Sequence, residues 1–164
     1  MGCLGGLRAI TERELDRLRA LPRAERSIDY LDEEMEQEDS YDLDKSWDAI
    51  HRALTNGKLE YGGAPAPGCW VILGGETLRG DREGEEDYII TCKTPRQVEQ
   101  AAQFLQGLTE EDFRKLYFAI DPDEYGMEPD EDDFGYTWEN LAGSIPFWQN
   151  AAQKKLWVLF DVDQ

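Results

Sequence analysis

Histidine is almost missing from this sequence: His51 is the single one in 164 residues. A metal site built from several imidazoles of one chain is thereby excluded. Cysteine is scarce too. Cys3, Cys69 and Cys92 are odd in number, widely spaced and without a CxxC or Cys/His cluster, so neither a disulfide framework nor a thiolate zinc site is indicated. No apolar run approaches the roughly eighteen residues of a membrane span, and no basic segment leads into an apolar one at the start. The expectation is a soluble, cytoplasmic protein with reduced thiols. Positive charge is also short. Seventeen Lys plus Arg face thirty-six acids, a formal net charge of −19. That field repels a nucleic-acid backbone and an anionic membrane surface, and it suits a basic protein partner, a cation or plain solubility. No G-x-S-x-G, P-loop, G-x-G-x-x-G or H-E-x-x-H is present.

What is present reads as one domain, residues 1–164. Apolar residues make up 40%, and five Trp argue for a packed core rather than disorder. Cys3 to Ile10 reads as a first strand. Thr11-Glu-Arg-Glu14 is a capping box, opening a helix over Glu12–Ala20. Pro22 restarts a second short helix with Ile28 and Leu31 inside. From Tyr41 to Gly57 the pattern predicts a single helix. Leu43, Trp47, Ile50, His51 and Leu54 share one face, Asp42 or Asp44 stands at its start, and Asn56-Gly57 supplies its stop.

Lys58 to Gly68 is rich in Gly and Pro and is expected to be loop. Trp70 to Leu73 fits either a strand or a helix end. Gly74-Gly75-Glu76 turns sharply, Arg79 to Glu86 reads as loop, and Asp87 to Thr91 as strand. Helices are expected from Thr94-Pro-Arg-Gln97, from Thr109, and over Phe134 to Trp148 with a break or kink at Pro146. Leu156 to Phe160 reads as a last strand. Few strands among helices of varied length predict an α+β fold, a small sheet of about four strands against several helices.

Two acid runs stand out. Asp29–Asp44 holds nine acids and Asp121–Asp133 eight, neither with a Lys or Arg. Tested as an EF-hand loop, the second run has Asp at positions 1 and 3 and Gly126 at 6. It has Tyr125 at 5, Pro129 at 9 and Asp132 at 12, and no paired hand follows, so no metal ligand is assigned. Cys69 and Cys92 read as buried structural thiols. A lone histidine on an apolar helix face is usually a core residue with one satisfied hydrogen bond; with Asp48 one turn before it, His51 is also a candidate base or ligand contact.

The stretch Leu43-Asp44-Lys45-Ser46-Trp47-Asp48-Ala49-Ile50-His51, followed by Leu54-Thr55-Asn56-Gly57, resembles the Trp-Asp-x-x-His pattern of the YfbM-like family of small bacterial proteins. Leu73-Gly74-Gly75-Glu76-Thr77-Leu78, the Thr94 helix, Leu108 to Arg114 and Val158-Leu159-Phe160 follow in the family's order. Asn56 is an insertion before Gly57, and Glu128-Pro129 stands where the family tends to have Tyr-Pro. The resemblance implies an α+β fold and a cytosolic domain with no established activity. It marks Trp47, Asp48, His51, Gly75 and Glu76 as pattern positions.

Two functions follow as expectations. The first is a non-enzymatic inhibitor-like or immunity-like module, with no cofactor. Its acidic face, Asp32, Glu33, Glu36, Asp39, Asp130, Glu131 and Asp132, meets a basic protein. The second is a small-molecule-binding protein or hydrolase with a pocket around Trp47, Asp48, His51, Gly75 and Glu76.

Overall fold

The computed structural model describes residues 3–57, 59, 65–80 and 88–163. Short apolar stretches near both ends of the chain make strands that pair with each other. Strand β1 (Gly5–Ile10) lies antiparallel to β5 (Trp157–Asp163), with Leu7 opposite Phe160 and Ala9 opposite Val158. Strand β2 (Asp39–Asp44) adds to the outer side of β1. Strand β4 (Tyr88–Lys93) adds to the outer side of β5, and β3 (Glu76–Arg79) closes the row. The sheet is antiparallel throughout, in the order β2-β1-β5-β4-β3, and has five strands rather than about four.

The helices among the described residues are α1 (Glu12–Ala20), α2 (Ile28–Glu33), α3 (Trp47–Leu54), α4 (Pro95–Gln106), α5 (Glu110–Phe118), α6 (Pro122–Tyr125) and α7 (Glu131–Gln153). Several start where the sequence places a cap. Thr94 with Gln97, and Thr109 with Asp112, form complete capping boxes. Thr11 caps Glu14 N–H, but Glu14 turns its carboxylate to Arg17 and to the Glu36 N–H. This helix therefore has half a box. No helix is long and apolar enough to cross a membrane among the described residues.

Three expectations are corrected. The Tyr41–Gly57 stretch is a strand that runs into a helix, with Asp44 at φ 50° and Ser46 between them. Tyr41 pairs with Leu7 and Asp42 with Gly6, so the first half is held by β1 rather than by helical turns. Glu76–Arg79 is a strand, because Glu76 and Thr77 pair with Cys92 and Thr91. Helix α7 continues through Pro146, which sits on its exposed side, so the helix is not broken there. Cys69 to Val71 lies in a 3₁₀ turn, Gly68–Val71. Most of the loop expected at 58–68, Asp87 and nearly all of the 79–86 loop lie outside the described residues.

The sheet separates two apolar clusters. On one face Leu7, Leu43, Ile89, Val158, Phe160 and Val162 meet α3, α4, α5 and α7 through Ile50, Leu105, Phe113 and Trp148. On the other, Ile10, Leu78, Ile90, Cys92 and Leu159 meet α1 and α2 through Leu15, Leu18 and Leu31. Each fully buried aliphatic or aromatic side chain contributes about 1.5–3 kcal/mol against exposure. The large cluster therefore carries most of the stability.

Gly75 links the two halves of this arrangement. Its φ is +115°, and a Cβ there would stand 2.2 Å from the Cys92 carbonyl oxygen. Only glycine lets the chain pass this close to β4 on its way into β3. Gly75→Ala is expected to cost about 3 kcal/mol or more, read as a lowered urea midpoint with unchanged slope.

Candidate functional site

The five pattern residues do not converge on one cavity. His51 is fully buried on α3. Its Nδ1 accepts the Leu73 N–H at 3.4 Å, and its carbonyl accepts the Thr55 hydroxyl at 2.6 Å. Trp47, at the start of α3, donates its indole N–H to the Cys3 carbonyl at 2.9 Å and tilts against Phe160. Gly5 is the glycine that admits it: a Cβ there would lie 2.8 Å from the indole. Half-buried Asp48 accepts from Arg52 Nε, while Arg52 lies over the Tyr125 ring at 5.9 Å. Gly75 is an exposed turn residue. Glu76 leaves on the sheet's opposite face, where its carboxylate takes two bonds of 3.0 Å from Arg19. Trp47, Asp48 and His51 thus share one helix, and Glu76 is separated from them by the sheet.

A buried polar cluster lies beside His51. Lys93, fully buried on β4, donates to the Ile72 carbonyl and to Thr91 Oγ1. Thr91 donates to the same carbonyl at 3.3 Å. His51, Thr91 and Lys93 therefore hold the two residues Ile72 and Leu73, just before the Gly74-Gly75 turn. Burial pushes the Lys93 amine down from 10.5 to about 7, against the pull of the Cys92 and Cys69 thiols. Burial likewise pushes the Cys92 thiol up to about 12, so it is inert as a nucleophile at neutral pH.

The acid runs are placed differently. Helix α7 packs along β2, and Tyr136 joins the two runs: its hydroxyl donates to Asp44 at 2.8 Å and accepts the Lys45 N–H. Tyr41 donates to the Asn140 carbonyl at 2.9 Å, and Asn150 Nδ2 reaches Asp39 at 3.4 Å. The acids of the expected face fall into two groups. Asp32 pairs with Arg8, Asp39 takes the Ser40 N–H, Asp130 caps α7 and Glu131 takes two bonds from Arg114. The exposed side chains of Glu33, Glu36 and Asp132 carry no bond or ion pair among the described residues. Asp133 takes the hydroxyls of Tyr117 and Tyr125, which raises both phenols, burial being the larger cause. Among the described residues no three carboxylate, thiolate or imidazole groups gather to hold a metal ion.

One cavity borders these acids. A groove of about 390 Å³ runs between β1, β2 and α2, lined by Leu4, Gly6, Arg8, Ile28, Asp32, Ser40, Asp42, Asp161 and Asp163 among others. Arg8 spans it, bonded to Asp161 at 2.8 and 3.3 Å and to Asp32 at 2.8 Å. Burial raises the Asp161 carboxyl, and Arg8 pulls it back down. A second cavity of about 430 Å³ lies between Pro67, Trp70, Gln100 and Phe104. Neither is lined by a pattern residue. Sequence reasoning missed Asp161 because it ended the last strand at Phe160. The available signal was a charge at an inward position in each of two apolar strands, Arg8 and Asp161.

Lys93 supplies a test of the buried cluster. Unfolded, its amine titrates near 10.5; folded, near 7. Between those values the unfolded chain binds more protons, so the unfolding free energy rises with pH, and below about 7 the whole penalty remains. From about pH 7 to 8.5 the wild type should gain about 1–2 kcal/mol relative to Lys93→Met, followed by urea melts at each pH. Lys93→Met should be at least as stable as wild type at pH 7, since Thr91 still serves Ile72. His51→Ala should lose about 2–4 kcal/mol for the emptied core position.

The comparisons agree with this architecture. No curated protein matches the chain. A crystal structure of a protein of unknown function, YfbM from Escherichia coli, aligns with a TM-score of 0.66 over 97% of this chain and 99% of that one, at 18% identity. The model of the family described as Domain of unknown function (DUF1877) matches residues 1–161, and the chain belongs to that family.

Proposed function

We propose that the protein is a non-enzymatic binding module that presents an acidic surface to a basic protein partner, in the manner of an inhibitor or immunity protein. The observation that carries this reading is the junction at Tyr136. It brings the start of α7, with Asp130 and Asp132, beside the end of β2, with Asp42 and Asp44. Two acid blocks separated by about ninety residues thereby adjoin along one sheet edge. Exposed acids continue onto α2 and the segment after it, through Asp29, Asp32, Glu33, Glu34, Glu36 and Glu38. Lys45 is the exposed base within this stretch. Like charges held this close raise the local potential, speed encounter with a basic surface and reject acidic ones. Burial of His51 and the separation of Glu76 from it favour this reading over a pocket at the pattern residues.

The test is affinity capture from the native host at low ionic strength. A basic protein should be retained and should elute as salt rises above about 0.3 M, where screening shortens to a few ångströms. The variant Glu33→Lys/Glu34→Lys/Glu38→Lys/Glu128→Lys changes side chains without described partners and should lose capture while keeping its melting temperature. Retention of nothing at low salt, or equal retention by this variant, rejects the reading.

A further inference from the structure

The groove beside β2 deepens this reading. Helices α1 and α2 cover the second face of the sheet only around Ile10, Leu78, Ile90, Cys92 and Leu159. The corner where β2, β1 and β5 present Asp42, Gly6 and Asp161 is bordered by α2 through Ile28 and Asp32, and the groove of about 390 Å³ is that corner. The three residues stand in one cross-strand row: Gly6 pairs with Asp42 on one side and with Asp161 on the other. Neighbouring strands lie about 4.8 Å apart, so two carboxylates flank a floor that has no side chain. A Cβ built on Gly6 would meet its nearest atoms only at 3.9 Å, so the space above the glycine is open.

The lining selects an occupant. Four carboxylates, Asp32, Asp42, Asp161 and Asp163, face one cation, Arg8, which is already engaged by Asp161 and Asp32. Ile28, and Leu4 at 57% exposure, add an aliphatic wall. An aliphatic stem with a cationic head matches both features, and Arg8 itself shows a guanidinium held between two acids of this groove. Addition of a partner strand along β2 is disfavoured. The Ser40 and Asp44 N–H groups are already taken by the carboxylates of Asp39 and Asp42, which leaves fewer donors on that strand.

We propose that this groove is the anchor of the acidic interface, receiving one arginine or lysine side chain of the basic partner, its head over Gly6 between Asp42 and Asp161 and its stem along Ile28 and Leu4. The inference rests on the acidic-surface reading above.

The probe is the peptide acetyl-Gly-Gly-Arg-Gly-Gly-amide, titrated into the ¹⁵N-labelled full chain, with the citrulline peptide as its uncharged counterpart. Saturable shifts centred on the Gly6, Leu7 and Asp42 amides are expected with arginine and absent with citrulline. Gly6→Leu and Ser40→Trp fill the groove without changing charge, and each should weaken the arginine peptide at least tenfold. Ser40 is exposed, so Ser40→Trp keeps the test usable if Gly6→Leu melts early. Shifts spread over Asp130–Asp132 and unchanged by both variants overturn the anchor, as does absence of any saturable shift. If the captured host partner binds Ser40→Trp as well as wild type, the anchor fails and the acidic-surface reading stands. If no host partner is captured but the peptide saturates at Gly6, the groove stands and that reading fails.

Discussion

Pairing between β1 and β5 is the constraint from which the rest of the molecule hangs. It joins residues 5–10 to residues 157–163, so the middle of the sheet closes only when nearly the whole chain is available. The loop-closure cost is paid once, and the central strands offset it by burying both faces: Leu7, Ala9, Ile10, Val158, Leu159, Phe160 and Val162 are all nearly inaccessible. A charge in such a strand needs a partner or must neutralise. Arg8 and Asp161 partner each other across the β1–β5 pair, while Lys93, one strand over, is pushed towards neutrality. The three charges are consequences of the same burial with different remedies.

Everything outward of the central pair is edge. Strand β2 is rich in Asp, a residue with low strand preference, and it persists because β1 holds one side and α7 packs against it. Its acids contribute to that edge. Asp39 and Asp42 bond amides of their own strand and Asp44 receives Tyr136. Helix α7 uses the other run the same way, with Asp130 as its cap and Asp133 under two tyrosines. The acids thus split into those that build turns, caps and edges and those that only add field. Net charge alone therefore overstates the surface available for binding.

The same split explains what was legible in the sequence. Helices with Thr caps, α1, α4 and α5, were readable because the cap and stripe are local. The family pattern was readable as well. The Tyr41–Gly57 stretch misled for a physical reason: Leu43, in a strand, and Trp47, Ile50, His51 and Leu54, in a helix, are buried on the same side of the sheet. A strand that feeds a helix packed on its own face keeps one apolar side continuous, which imitates a longer helix. The edge strands β2 and β3 were not readable, because long-range pairing rather than composition makes them strands. The groove was unreadable for the same reason. Gly6, Asp42 and Asp161 come from three distant parts of the chain and meet only through register.

That register bears on what the groove is for. Two short helices leave part of a five-stranded sheet uncovered, so some open corner follows from the architecture alone. An inert corner is satisfied by neutral polar residues, which cost little to hydrate. Here a carboxylate 4% exposed forms part of the lining, held by a guanidinium that also reaches Asp32, and beside them stands a glycine at which a Cβ would meet nothing closer than 3.9 Å. Desolvating an ion pair is expensive and contributes little to stability compared with an apolar pair of the same shape. The cost is instead understandable if the corner must stay negative and open. Asp32, Asp42 and Asp163 then keep the corner negative around the buried Arg8–Asp161 pair, and Gly6 keeps the space above that pair clear.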